Sequence, residues 1–196
     1  MTDELKEMIL NSAENGIITS SRITDMGIHR SALQELVGSG ELIQCSRGIY
    51  VPAGEWEDEY RILQEKYGRG IFSHATALYL HGYSDRVPLA FHMTFPTGYN
   101  SPSIKNENVI ITRAVKENYE LGVSTALSPY GNVLRVYDLE RCLCDMLRTS
   151  GEDIGIIQQA MKRYATSKEK DINKLMTYAK KLRVESKVRN YMEVLL

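Results

Sequence analysis

Three acidic side chains near a strand-to-helix junction are the first residues with types and spacing that could do chemistry. Carboxylates such as Asp138, Glu140 and Asp145 can hold the divalent ion of a metal-dependent nuclease. Their helical spacing favours structural roles. Asp138 suits the N-cap of a helix, Glu140 suits its first turn beside the positive end of the helix dipole, and Asp145 lies two turns further on. A nuclease using Asp138 or Glu140 therefore stays the alternative to a non-enzymatic protein.

Other candidate sites are weaker. His74 and His81 lie seven residues apart, whereas metal-binding pairs on one helix are usually three or four apart, and no Cys or acid completes a set. The segment 185–187 has a nuclease-like Glu-x-Lys spacing, but its surroundings are helical and basic. Cys142 and Cys144 fall on different faces of a helix, which suits neither a disulfide nor a shared metal. No phosphate-binding loop or nucleophile elbow is present. We expect no catalytic residue, no metal and no cofactor.

Positive charge is concentrated near the C-terminus, whereas the N-terminal 55 residues are acidic. The net charge is −1, yet residues 1–55 carry four Lys or Arg against eight acids, and residues 162–189 carry ten against three. The C-terminal cations could contact DNA or an acidic partner, or they could form a solvated lysine-rich face. The candidate basic patch comprises Lys162, Arg163, Lys174, Lys180, Lys181, Arg183, Lys187 and Arg189.

The segment Gly27–Pro52 predicts a short helix followed by a two-stranded ribbon. Apolar residues recur at helical spacing up to Val37, and Gly38 and Gly40 end the helix. Leu42-Ile43 and residues 49–51 indicate two strands, with the turn at residues 46–48. This pairing is typical of the second helix and wing of a winged helix-turn-helix, in which an Arg at the wing tip can touch a phosphate.

Two further helices before this segment complete a DNA-binding layout. Thr2 or Asp3 caps a first helix running to about Asn15, and Ser20 or Ser21 caps a short second one. We predict a winged helix-turn-helix domain over residues 1–55, although similar helical modules also bind proteins. The candidate DNA-binding residues are Arg22, Arg30, Ser31, Gln34, Ser46 and Arg47.

Residues 56–196 predict a second domain of mixed α/β structure that ends in a helical bundle. A linking helix is expected over residues 57–67, and Ser73 is expected to cap a helix through Leu80. Four strands follow near residues 90–96, 108–115, 119–127 and 132–138. Asp138 then caps a helix with Leu139, Cys142, Leu143 and Met146 facing inward, and three more helices follow near residues 154–164, 171–182 and 185–195. The fold class is α+β.

Composition places the chain among ordinary globular proteins. Hydrophobic residues make up 43% and charged residues 25% of the sequence. No apolar run reaches the roughly 20 residues that cross a bilayer, and the N-terminus lacks the features of a signal peptide. The three cysteines include no CxxC motif. We therefore expect a cytoplasmic protein with reduced thiols and no membrane association.

Three stretches in order resemble the AbiEi antitoxin family of bacterial abortive-infection, or type IV toxin–antitoxin, systems. They are HRSALQELVGSG followed by GELIQCSRGIYVPAG, then IFSHATALYLHGYSDRVP before FHMTFP, and then YDLERCLCDMLR. The resemblance implies a winged-helix domain that binds inverted repeats in promoter DNA and represses its own operon. We expect the chain to be a monomer in solution or to pair cooperatively on the DNA. The resemblance also implies a C-terminal domain that antagonises a nucleotidyltransferase-like toxin, without requiring a stable complex. Direct sequestration of a toxin is an alternative.

Overall fold

The computed structural model describes residues 1–195, which form two compact units of mixed α and β structure. The first unit comprises residues 1–68 and the returning segment 127–134, and the second comprises the described residues 69–126 and 135–195. The first unit thus extends beyond the segment 1–55 that the sequence suggested. Within residues 1–195, no helix has the length and apolar character needed to cross a membrane.

The first unit contains four helices and a small antiparallel sheet. Strand β3 lies in the middle of the sheet, paired with β1 on one side and β2 on the other. The elements in chain order are α1 (Asp3–Asn11), β1 (Ile18–Thr19), α2 (Ser20–Asp25), α3 (Ser31–Gly38), β2 (Leu42–Ser46), β3 (Ile49–Pro52) and α4 (Glu59–Lys66).

Local sequence explains where the first helices begin and end. The Thr2 side chain caps α1 by accepting from the Leu5 N–H. Helix α1 ends at Asn11 rather than near Asn15, because Glu14 and Ile17 pair with each other across a tight turn. The N-cap of α2 is Thr19, which accepts from the Arg22 N–H at 3.2 Å, so the expected caps Ser20 and Ser21 were wrong.

One hydrophobic core holds these helices against the sheet. It is built from side chains on α1, α2, α3 and all three strands, which buries one face of each element. Its buried members are Ile9, Ile18, Ile23, Ala32, Leu33, Leu36, Leu42 and Tyr50.

The returning segment 127–134 is tied to the first unit by Asp58. This carboxylate caps α4 through the Arg61 N–H at 3.2 Å and also accepts from the Ser128 hydroxyl and from Asn132 Nδ2, the latter at 2.7 Å. Trp56 and Tyr130 stack with ring centroids 6.3 Å apart. Three satisfied hydrogen bonds on a side chain with 2% exposure make Asp58 a structural anchor.

The second unit is a mixed five-stranded sheet combined with helices. The strand order is β6-β5-β4-β8-β7, with β4 antiparallel to β5 and parallel to β8, and β5 parallel to β6. Its elements are β4 (Ile71–Phe72), α5 (His74–Leu80), β5 (Phe91–Pro96), a 3-10 helix (Pro102–Asn106), β6 (Val109–Ala114), α6 (Lys116–Glu120), β7 (Val123–Leu127), β8 (Val133–Tyr137), α7 (Leu139–Arg148), α8 (Ile154–Thr166), α9 (Ile172–Lys181) and α10 (Glu185–Leu195).

Helix α7 is the buried centre of the second unit. Asp138 caps it as predicted, accepting from the Arg141 N–H at 2.9 Å. Cys142, Leu143 and Met146 are buried as expected, but Leu139 is partly exposed, and burial extends to every residue from Glu140 to Leu147. Helices α5, α8, α9 and α10 all contact α7, so its polar residues need partners inside the protein.

Candidate nucleic-acid interface

An open groove of about 540 Å³ lies between α3 and the β2–β3 ribbon. Helix α3 contributes one wall, and the ribbon and the start of α2 contribute the other. The residues that line it are Ser20, His29, Arg30, Ser31, Gln34, Gln44, Arg47, Gly48 and Tyr50. All are polar, aromatic or glycine, so the groove offers hydrogen-bonding groups rather than an apolar surface.

The beginning of α3 is organised by short polar contacts. The Arg30 side chain is exposed, and its Nε donates to the Thr24 hydroxyl on α2 at 3.0 Å. His29 Nδ1 lies 2.9 Å from the Ser31 hydroxyl and accepts from the Ser31 N–H at 3.3 Å. These contacts hold the first turn of α3 beside α2 and leave the Arg30 guanidinium facing solvent, where a phosphate could approach.

The ribbon is fixed to α2 at its turn. Gly48 has φ +74°, and a Cβ placed there would lie 2.6 Å from the Ser20 hydroxyl. The Ser20 N–H also donates to the Gly48 carbonyl at 2.9 Å. Only glycine suits both the left-handed backbone and this close approach. The neighbouring Arg47 is therefore presented from a constrained turn, and its side chain is exposed.

Four of the six candidate DNA-binding residues come together in this groove. They are Arg30, Ser31, Gln34 and Arg47. Ser46 is partly buried and does not line the groove. Arg22 does not line the groove either, and it forms an ion pair with Glu14.

Sequence reasoning missed five residues of the lining: Ser20, His29, Gln44, Gly48 and Tyr50. Gln44 and Tyr50 are direct cross-strand partners in the ribbon. Counting outward from the predicted turn would have found this pair.

The lining of the groove carries a net positive charge, whereas residues 1–55 as a whole carry a net negative charge. None of its nine lining residues is acidic, although residues 1–55 carry twice as many acids as Lys or Arg. Several of those acids are engaged elsewhere, since Glu14 pairs with Arg22, Glu41 with Lys6 and Glu35 with the N-terminal amino group. The charge of the whole segment therefore does not describe the charge of the groove.

Half of the candidate basic patch is already occupied within the second unit. Arg163 pairs with Asp85 at 2.7 Å, and Arg189 pairs with Glu185 at 3.1 Å. Lys187 donates to the Leu147 carbonyl at 2.7 Å. Within residues 1–195 no ion pair is found for the other exposed members, Lys162, Lys180, Lys181 and Arg183.

Lys174 is the most strongly engaged of these cations. Its Nζ lies 3.0 Å from Asp138 and 2.9 Å from Glu140. Burial of the ammonium group opposes its charge, but the hydrogen bonds that it donates to the two carboxylates raise the pKa of Lys174 above its usual value. Its charge is therefore balanced by carboxylates of the same unit.

The three acids of the nuclease alternative, Asp138, Glu140 and Asp145, have structural partners. Asp138 caps α7, and Glu140 accepts from the Tyr164 hydroxyl at 2.9 Å. Asp145 accepts from Arg141 Nε at 2.9 Å, and burial raises the pKa of this carboxyl against the opposing influence of Arg141. Among residues 1–195, no group of three His, Cys, Asp or Glu side chains is placed to hold a metal ion.

The two histidines of α5 and its C-cap also serve the fold. His81 Nε2 lies 2.8 Å from the Tyr137 carbonyl. His74 is buried between the hydroxyls of Ser73 and Thr149, at 2.9 and 3.1 Å from its two ring nitrogens. Both of its ring nitrogens are thus engaged by protein groups.

Comparisons with known proteins match the groove-bearing segment. Residues 7–53 match the family model described as transcriptional regulator, AbiEi antitoxin, which confirms the predicted resemblance for this segment. Every residue that lines the groove falls within the match. The crystal structure of the RV2827C protein from Mycobacterium tuberculosis matches with a TM-score of 0.61 at 17% identity, covering 96% of this chain and 79% of that one. At that identity the likeness establishes a shared fold alone. The comparison with curated proteins found no match.

Proposed function

We propose that the protein is a non-enzymatic antitoxin and transcriptional autorepressor of a type IV toxin–antitoxin operon, and that its first unit binds inverted repeats in the promoter. One observation carries the proposal. The family match covers the segment in which Arg30, Gln34 and Arg47 face one open groove free of acidic lining residues. In such a groove cations can meet phosphates while amides and hydroxyls reach base edges.

The first unit has the element order of a winged helix-turn-helix. Helices α2 and α3 would form the helix-turn-helix, α3 would enter the major groove, and the β2–β3 ribbon would be the wing. Ser31 and Gln34 on the exposed face of α3 suit base contacts, and Arg30 and Arg47 suit phosphates. Arg22 and Ser46 lie outside the groove lining and would make outer contacts with the DNA backbone. Inverted repeats would seat two copies of the chain side by side.

The second unit is assigned the antitoxin activity against a nucleotidyltransferase-like toxin. Its acids Asp138, Glu140 and Asp145 each stabilise the fold, which supports a role other than catalysis. The exposed Lys162, Lys180, Lys181 and Arg183 remain available for DNA or for a partner. In this assignment repression and antitoxin activity belong to different parts of the chain, and each can be removed without the other.

Gel shifts with DNA from upstream of the operon test the DNA-binding role. The wild-type chain should bind this DNA more tightly than a scrambled sequence. Arg30→Ala and Arg47→Ala should each weaken binding about tenfold at moderate salt, because each removes a phosphate contact. Arg86→Ala, which removes an exposed guanidinium of the second unit paired with Asp153, is the matched control and should bind normally. Equal affinity of the wild-type chain for upstream and scrambled DNA would overturn the proposal.

Growth assays in cells expressing the operon's toxin test the antitoxin role. The full chain should restore growth, and so should the doubly substituted Arg30→Ala/Arg47→Ala chain, because the groove belongs to the other activity. Loss of rescue in the double variant, with normal protein levels, would show that antitoxin action requires DNA binding. No rescue by the wild-type chain would overturn the antitoxin assignment.

A further inference from the structure

The side chain of Gln34 is held at one end. Its Nε2 donates to the Tyr50 hydroxyl at 3.2 Å, while the rest of the side chain is exposed in the groove. A solvated glutamine amide rotates freely and exchanges the positions of its oxygen and nitrogen. The bond to Tyr50 restricts that rotation, so the amide keeps one edge towards the ribbon and the other towards the open groove.

Tyr50 is a rigid anchor for this contact. Only 4% of the residue is exposed, and its ring packs in the core with Leu33 of α3 and Ile18 of β1. It also lies on the central strand of the sheet, paired with Ile18 on one side and Gln44 on the other. The position of the hydroxyl is therefore set by the core of the unit rather than by a flexible surface side chain.

The groups left to Gln34 match one base. With one Nε2 hydrogen given to Tyr50, the amide offers a second Nε2 hydrogen and the Oε1 acceptor side by side. Adenine presents the complement in the major groove, an N7 acceptor beside an N6 donor, whereas guanine presents two acceptors. Arg30 precedes Gln34 by one helical turn on the same face, where its guanidinium can contact a phosphate of the DNA backbone.

We infer that Gln34 reads an adenine in the major groove and that Tyr50 is the positioning residue that orients its amide for that base. The inference rests on the proposed DNA-binding function and adds its base preference. Tyr50 would act through Gln34 and would touch no base itself, so its removal should alter discrimination between bases more than affinity for DNA in general.

Binding-site selection followed by base substitution tests this inference. The wild-type chain first selects its motif from a random duplex library, and dissociation constants are then measured for the motif and for each single A·T to G·C or G·C to A·T replacement. Gln34→Ala should lower the preference for A·T at one position at least fivefold, the scale of a lost bidentate pair, which is about 1–3 kcal/mol. Tyr50→Phe should lower the preference at that same position about fivefold, the scale of one lost hydrogen bond.

Matched controls separate positioning from folding. Tyr130→Phe makes the same change at an exposed tyrosine of the first unit that does not line the groove, and it should leave every preference unchanged. Binding of non-specific DNA should be the same for all variants, and the double variant Gln34→Ala/Tyr50→Phe should discriminate no worse than Gln34→Ala.

The outcomes distinguish the inference from the function on which it rests. A wild-type chain that selects no motif would overturn both. A selected motif whose preferences survive Tyr50→Phe would overturn the role of Tyr50 and leave DNA binding intact. A preference lost at a G·C position with Gln34→Ala would overturn the assignment to adenine.

Discussion

The groove of the first unit and helix α7 of the second use polar residues in opposite ways. The groove leaves Arg30 and Arg47 exposed and free of acidic lining. Helix α7 buries Arg141 and Asp145 against each other, with the guanidinium 4.2 Å from the Tyr137 ring centroid. Buried charges require fixed partners, whereas exposed ones can exchange water for a ligand. The contrast teaches that the available charge of a surface depends on pairing and not on residue counts.

The largest expected effect is on stability, at the centre of α7. Arg141→Met should lower the free energy of unfolding by about 3–5 kcal/mol, because it leaves the buried Asp145 unpaired. It also removes donors from the carbonyls of Asn118 and Leu121. Urea unfolding measures the loss, with Arg47→Met as the control that should change stability by less than about 0.5 kcal/mol. Equal effects of the two substitutions would erase the contrast between the regions.

The next effect concerns the pH dependence of the second unit. Burial, aided by the charges of Arg141 and Arg148, lowers the pKa of His74 to about 4. The unfolded chain has a histidine pKa near 6.5, so stability is complete above about pH 6.5 and falls as the pH drops towards 4. His74 alone accounts for a loss of roughly 3 kcal/mol by pH 4.

Urea unfolding between pH 7 and 4 measures this loss. His74→Asn is a suitable variant, because asparagine tolerates the positive φ of this position and does not titrate. The variant should show a flatter pH dependence over this range, whatever its stability at pH 7. An unchanged slope would assign the acid sensitivity to other groups, among them His92, whose pKa burial also lowers to about 4.

The smallest effect separates the two basic regions on DNA. The triple charge reversal Lys180→Glu, Lys181→Glu and Arg183→Glu should leave the slope of log affinity against log salt nearly unchanged if these cations lie off the DNA. Contact with phosphates would cost about 0.9 units for each cation lost. Arg47→Ala should cost that amount by itself. Salt titrations of both variants would place the C-terminal cations on the DNA if the slope fell more in the triple variant than in Arg47→Ala.

Local signals predicted much of the chain, and long-range packing explains what they missed. The ribbon, the end of α3 near Gly38 and the Asp138 cap follow from glycine placement, alternation and capping chemistry. Strand β4 has only two residues and is formed by pairing with its neighbours β5 and β8. The all-round burial of α7 could not be read from its sequence, because Arg141 and Asp145 look like a solvated face until their partners are known.

The candidate site was predicted in the same uneven way. Helical spacing identified Arg30, Ser31 and Gln34, and the turn identified Arg47. Tyr50 was missed because it is a buried core residue whose role in the groove depends on the contact of its hydroxyl with Gln34. The ion pairs of Arg163 and Lys174 could not be predicted from the sequence, because their partners Asp85, Asp138 and Glu140 are distant along the chain.

The Asp58 anchor has a consequence for synthesis on the ribosome. Because Asp58 bonds to Ser128 and Asn132, the first unit lacks a piece of itself until residue 134 has been translated. At ~5–20 residues per second, the stretch from Gly68 to Leu134 imposes a wait on the order of several seconds. The nascent chain would thus complete its first unit only when much of the second unit has already been translated.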